Sequence, residues 1–142
     1  MFIRTCAEFQ TDLPDDAIEE DHEIVQFSGR AVAEAICGML EGGGYNSTKP
    51  EHQHEHGWDF EVRLQKLRIW IQISDLGNVF ILISKCYAGL FPPRHHETVY
   101  AEVLTCVNDG LAADPRFSNV RWQMQADLLR GGPGADAPTT AS

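Results

Sequence analysis

Three histidines at every second position form the strongest chemical pattern in this sequence: His52, His54 and His56 lie in the stretch EHQHEHGWDF. Alternate side chains of an extended strand point to the same face, so the three imidazoles could converge on a Zn, Ni or Cu ion. Their Cβ atoms would lie about 6.5–7 Å apart, however, so one straight strand serves a tetrahedral ion poorly. We therefore interpret the stretch as a polar, solvated approach to a strand, and we predict no metal or cofactor.

The alternative is a small metal-dependent enzyme whose ligands are His52, His54, His56 and either His95 or His96. His96 and Glu97 begin an HExxH-like pattern, but Tyr100 stands where that pattern requires its second histidine. The chain also lacks a G-x-S-x-G elbow, a Walker A sequence and a dinucleotide-binding glycine pattern. The sequence thus favours a protein that is not an enzyme.

Negative charge is concentrated near the start of the chain. The formal net charge is -10, and the segment between Arg4 and Arg30 contains no lysine or arginine. That segment carries eight acidic residues: Glu8, Asp12, Asp15, Asp16, Glu19, Glu20, Asp21 and Glu23. Without counter-charges it must be solvated or face a positive surface, and nucleic acid is excluded as a partner because its phosphates require a basic stripe.

Length and composition predict one domain over residues 1–130 and a disordered tail over 131–142. A chain of 142 residues can bury a core without a metal or a disulfide framework. Its start, MFIRTCAEF, does not resemble an export signal, and the longest apolar run, VFILI, is too short to span a bilayer. Its four cysteines form no CxxC pair. We expect a cytoplasmic protein with reduced thiols and no membrane partner.

Periodicity predicts a first strand over 2–9, then an acidic loop or irregular helix, then a helix that Ser28 caps and that ends in the glycines at 42–44. Two strands of alternating apolar and polar residues follow, from Trp58 to Leu64 and from Leu67 to Ser74. The third strand, VFILISKCYA, is apolar on both faces, so we place it inside the sheet. The three strands form an antiparallel meander.

A second helix begins at His96 and places Val99, Val103 and Val107 on one face, and the last strand lies within SNVRWQMQADLL. The element order is β-α-β-β-β-α-β. We therefore predict an α+β fold, in which a mainly antiparallel sheet of 4–5 strands packs against two helices.

Trp70 breaks the polar pattern of its strand face, which otherwise carries Arg68, Gln72 and Ser74. A large aromatic side chain at such a position is either covered by another part of the chain or serves as an anchor for a partner. We expect intramolecular cover, for which the acidic segment is available.

The arrangement over about residues 25–125 resembles the small α/β immunity proteins of bacterial polymorphic-toxin and contact-dependent systems. The similarity lies in a helix that begins Gly29-Arg30-Ala31-Val32-Ala33, a meander that opens with His56-Gly57-Trp58, and a last strand that contains Arg121-Trp122. It implies a cytoplasmic protein without catalytic residues that binds a cognate toxin and blocks it.

The charge pattern independently favours a protein-binding module. A concentrated acidic segment suits the capture of a basic protein surface, because complementary charge speeds encounter. The predicted partner-binding residues are Asp15, Asp16, Glu19, Glu20 and Asp21, which steer the partner, and Asp59, Glu61 and Trp70, which contact it. A homodimer formed through an open sheet edge is a further alternative.

Overall fold

The computed structural model describes residues 2–54 and 56–140. Its strands are β1 Cys6–Thr11, β2 Ile18–Glu20, β3 Glu23–Gln26, β4 Glu51–Gln53, β5 Gly57–Leu64, β6 Leu67–Asp75, β7 Phe80–Tyr87 and β8 Phe117–Gln123. Its helices are α1 Arg30–Gly42 and α2 His96–Ala113. No helix in these two ranges is long and apolar enough to cross a membrane.

The predicted meander is confirmed as β5-β6-β7. A tight turn, in which Lys66 adopts φ 63°, places Leu64 opposite Leu67 and Trp58 opposite Ile73. The strand β7 lies between β6 and β1, so the expectation of an interior third strand also holds. A hydrogen bond closes the turn between β6 and β7: the backbone N–H of Leu76 donates to the carbonyl of Val79 at 2.9 Å.

The α+β class is confirmed, with more strands than predicted. The main sheet is antiparallel and has six strands in the order β4-β5-β6-β7-β1-β8, and a separate two-stranded sheet joins β2 to β3. The additional strands are β2, β3 and β4, in two stretches for which the sequence analysis predicted no strand. The acidic segment pairs with itself, and Glu51–Gln53 adds an edge strand beside β5.

Both helices cover one face of the main sheet. The helix α1 contributes Val32, Ile36 and Leu40 to the core, where they meet the buried inner positions of β5, β6 and β7. In α2, the Tyr100 hydroxyl lies 2.7 Å from Ser84 Oγ, which donates to the Thr5 carbonyl at 2.6 Å. The opposite face of the sheet, called the outer face below, carries the alternate residues of the same strands.

Two element starts differ from those predicted. The first strand begins at Cys6 instead of Phe2. The helix α1 has Gly29 at its N-cap instead of Ser28, with φ 123°, which a residue bearing a Cβ rarely adopts. Ser28 itself is buried.

The C-terminal segment also differs from the predicted disordered tail. Ala135 exchanges backbone hydrogen bonds with Trp122 at 2.8 and 2.9 Å, and the Arg4 N–H donates to the Pro138 carbonyl at 2.6 Å. Residues 131–140 therefore lie along the edge of the sheet, held by backbone hydrogen bonds that composition does not reveal. Ala141 and Ser142, also assigned to the tail, lie outside the described residues.

Candidate functional site

The acidic segment folds into a hairpin of β2 and β3, residues 18–26, which we call the acidic hairpin. Its two-residue turn is Asp21-His22, with φ 52° and 68°, as the twist of a tight hairpin requires. Like charges lie opposite each other, because Glu20 pairs with Glu23. The side chains of Glu19, Glu20, Asp21 and Glu23 are all exposed.

Apolar side chains accompany these carboxylates. Ile18, Ile24 and Val25 are 44%, 53% and 39% exposed, although isoleucine and valine are usually buried. The sequence analysis did not identify them, because it predicted an acidic loop or irregular helix here. The short run Ile24-Val25-Gln26-Phe27 was the available signal for a strand. These three side chains leave apolar surface exposed among charged neighbours.

Asp15 and Asp16 form local structure. The Asp15 carboxylate accepts the backbone N–H of Ala17 at 2.9 Å. Asp16 is half-buried, and its two oxygens accept the backbone N–H groups of Gly29 at 2.8 Å and Ala31 at 2.9 Å. The carboxylate therefore caps α1 and meets the positive end of the helix dipole, a structural role that the sequence did not indicate.

Asp59, Glu61 and Trp70 come together on the outer face. Trp70 lies between Glu61 on β5 and Lys85 on β7 in register, and its indole Nε1 donates to Asp59 Oδ2 at 3.1 Å. The Lys85 ammonium lies 5.9 Å from the Trp70 ring centroid. The half-buried indole is thus contacted by polar neighbours of its own face. The acidic segment expected to cover it forms the hairpin and the helix cap.

Glu61 is the centre of an ion-pair cluster on the same face. Its carboxylate lies 3.5 Å from the Arg63 guanidinium and 3.8 Å from that of Arg68. Both arginine side chains are more than half exposed, so each pair contributes little to stability. The cluster presents both signs of charge around Trp70.

Phe27, the residue that follows β3, reaches the edge of the outer face. A depression of about 190 Å³ is lined by Phe27, which follows the hairpin, and by Gln72 and Ser74 of the outer face. Gln72 pairs in register with Asp59. The predicted contact residues Asp59, Glu61 and Trp70 line a different depression, together with Lys49 and Arg63.

His54 and His56 are exposed, as expected of a solvated approach to the sheet, whereas His52 is half-buried in the edge strand β4. His52 lies in β4, and its Nε2 accepts the backbone N–H of Phe27 at 2.9 Å. The His54 ring centroid lies 5.1 Å from that of His52. Burial, and secondarily the nearby His54, lowers the pKa of His52. Within residues 2–54 and 56–140, no three His, Cys, Asp or Glu side chains form a group that could hold a metal ion.

The cysteines lie in environments that favour the thiol over the thiolate. Burial raises the pKa of Cys37 to about 11 and also raises the pKa of Cys86 and Cys106. Nucleophilic catalysis by cysteine requires a lowered pKa. These surroundings suit packing side chains.

No family model, curated protein or solved structure matches this chain. The function that follows therefore depends on the residues and geometry described above.

Proposed function

We propose that the chain is a non-catalytic binding module that acts in the cytoplasm as an immunity protein, neutralising a cognate bacterial toxin by covering a basic surface on it. The observation that carries this proposal is the acidic hairpin, which presents four exposed carboxylates beside three exposed aliphatic side chains. A protein without such a partner would gain nothing from exposing isoleucine and valine at a hairpin that lies apart from its core.

The carboxylates supply the first stage of recognition. Complementary charge raises association rates from about 10⁵–10⁶ M⁻¹s⁻¹ toward about 10⁸ M⁻¹s⁻¹ at low salt. The four hairpin carboxylates lie close together in sequence and in register, so their potentials add at one end of the molecule.

The apolar residues and the outer face supply the second stage. Burial of Ile18, Ile24 and Val25 removes apolar surface from water, which lengthens the lifetime of the complex. Trp70 is already oriented by its hydrogen bond to Asp59, so little side-chain entropy is lost when a partner covers it.

The test begins with the toxin domain encoded in the neighbouring reading frame of the native genome. Growth of cells that express this domain is compared with and without the present chain, and association is followed by surface plasmon resonance over a range of salt concentrations. Growth should be rescued, and the association rate should fall as salt rises.

A hairpin variant then isolates the proposed surface: Glu19→Gln, Glu20→Gln, Asp21→Asn and Glu23→Gln. Its association rate should fall by about tenfold or more, with a flatter salt dependence. The matched control neutralises four exposed acids elsewhere: Glu34→Gln, Glu41→Gln, Glu97→Gln and Asp127→Asn. Equal association rates for the hairpin variant, the control and the wild type would remove the hairpin from the interface. Absence of binding and of rescue would reject the proposed function.

A further inference from the structure

A groove lies beside α2 and is lined by residues of both helices, by Tyr45 and by Thr139 and Thr140 of the C-terminal segment. Its volume is about 940 Å³, which is large for a chain of this size. Met39 of α1 and Ala101 of α2 contribute apolar surface, and Glu102 and Asp109 supply negative charge. The described residues that line the groove include no lysine, arginine or histidine.

Close packing of the helices shapes this groove. A Cβ on Gly110 would lie 2.6 Å from Met39 Cγ, and a Cβ on Gly43 would lie 2.5 Å from Cys106 Sγ. Larger residues at either glycine would push the helices apart. Burial raises the pKa of Tyr45, and the negative charge of Glu102 raises it further. Burial and the negative charge of Asp109 raise the pKa of Cys106 in the same way.

An apolar projection lies in the loop between β7 and α2. Leu90 and Phe91 are 89% and 86% exposed, the highest values among the large apolar residues that the structure describes. We call these two residues the knob. Pro92 and Pro93 follow directly and restrict the backbone. A single exposed leucine is ordinary on a protein surface, but two adjacent apolar side chains at a loop tip require an explanation.

Basic side chains lie near the knob, as does the exposed Glu97 in the first turn of α2. Arg94 follows the two prolines and is exposed. Arg68 pairs in register with Tyr87, the last residue of β7, and its guanidinium lies 4.8 Å from the Tyr87 ring centroid. Lys66 occupies the neighbouring turn at the same end of the sheet. Arg94 thus places a positive charge beside the knob, opposite in sign to Glu102 and Asp109 of the groove.

We propose that the knob of one copy of this chain occupies the groove of a second copy. The groove has ample volume for a leucine and a phenylalanine side chain, and its apolar surface matches theirs. Arg94 would lie near Glu102 and Asp109 of the second copy, where opposite charges favour the correct orientation. Reciprocal exchange of two knobs about a twofold axis closes the assembly as a dimer. This contact involves no residue of the acidic hairpin.

Cross-linking tests the contact directly, because the groove already contains Cys106. The variant Leu90→Cys keeps Phe91 in place, and mild copper–phenanthroline oxidation should join it to Cys106 of a second copy. We expect a covalent dimer on a non-reducing gel that disappears on reduction. The double variant Leu90→Cys with Cys106→Ser should give none. Leu76→Cys, which is exposed at the opposite end of the sheet, is the matched control.

Sedimentation velocity tests the assembly without a cross-link. The wild-type chain should form dimers, and Leu90→Ser with Phe91→Ser should weaken dimerisation by more than about tenfold. Glu102→Arg should weaken it as well, and the addition of Arg94→Glu should restore part of the loss. The hairpin variant described above should dimerise like the wild type, so this result is independent of the proposed function.

Two outcomes would overturn the inference. One is a wild-type chain that stays monomeric at all concentrations, with no cross-link dependent on Cys106. The other is a monomer that sediments with phosphatidylserine vesicles through Leu90 and Phe91, which would assign the knob to an anionic lipid surface.

Discussion

Asp16 Oδ1 accepts the backbone N–H of Gly29 at 2.8 Å, across thirteen residues of sequence. Its second oxygen accepts the N–H of Ala31 at 2.9 Å. The N-cap residue of α1 is a glycine and offers no side-chain acceptor, so a residue from the acidic segment caps the helix from outside. One carboxylate of this charged segment thus belongs to the fold, whereas its exposed neighbours remain available to a partner.

Asp16→Ala is therefore expected to destabilise the protein. Loss of a side-chain cap costs about 0.5–2 kcal/mol, and loss of the charge at the helix N-terminus adds to it. Urea denaturation measures the change in the free energy of unfolding. Asp15→Ala is the control, since Asp15 accepts a hydrogen bond only within its own turn. Equal stabilities of the two variants would contradict the capping role.

Gly57→Ala is expected to be more damaging than Gly77→Ala, although both glycines have positive φ, 107° and 97°. A Cβ on Gly57 would lie 2.3 Å from the Ile73 carbonyl oxygen, whereas a Cβ on Gly77 meets nothing within 4 Å. Gly77→Ala should cost about 1–2 kcal/mol of backbone strain. Gly57→Ala should cost about 1–3 kcal/mol beyond that, because the clash involves backbone. Thermal or urea unfolding of both variants decides the comparison.

Cys37 should make the protein sensitive to alkali. Burial raises its pKa from the ordinary 9.0 to about 11 in the folded chain. Between these values the unfolded chain loses the proton while the folded chain keeps it, so the free energy of unfolding falls as pH rises from about 9 to 11. The slope approaches about 1.4 kcal/mol per pH unit.

The variant Cys37→Ala separates this effect from other titrations at high pH. Its free energy of unfolding should be lower than that of the wild type at pH 8, because a buried side chain is shortened. Its further decline above pH 9 should be shallower. Parallel stability curves for the two proteins would show that Cys37 does not titrate as its burial indicates.

His52 should make the protein sensitive to acid. Its Nε2 accepts the Phe27 N–H and so carries no proton, and its pKa lies below the ordinary 6.5. As pH falls through 6.5, the unfolded chain binds a proton at this residue before the folded chain does, so stability decreases. Nitrogen-detected NMR should show a neutral ring protonated at Nδ1 at pH 7.

The control for this prediction is His52→Gln, whose stability should depend less on pH between 7 and 5.5, about the range in which free histidine titrates. A His52 signal that titrates above 6.5 would contradict the hydrogen bond to Phe27.

The sequence alone determined those elements in which apolar residues recur with a regular period. Apolar residues alternate from Trp58 to Leu64 and from Leu67 to Ile73, and that alternation determines which side chains of β5 and β6 reach the core. The helix α2 was predictable because Val103 and Val107 recur at helical spacing. The concentration of acids near the start of the chain was equally visible from composition.

Only the tertiary structure decided how the irregular segments are used. The pairing of β2 with β3, the cap from Asp16 to α1, and the edge contacts of Ala135 and Pro138 depend on backbone groups brought together by folding. Side-chain periodicity reports burial against a core, but backbone hydrogen bonds and the spaces between packed helices have no signature in residue type. The acidic hairpin, the knob and the groove are therefore visible only in three dimensions.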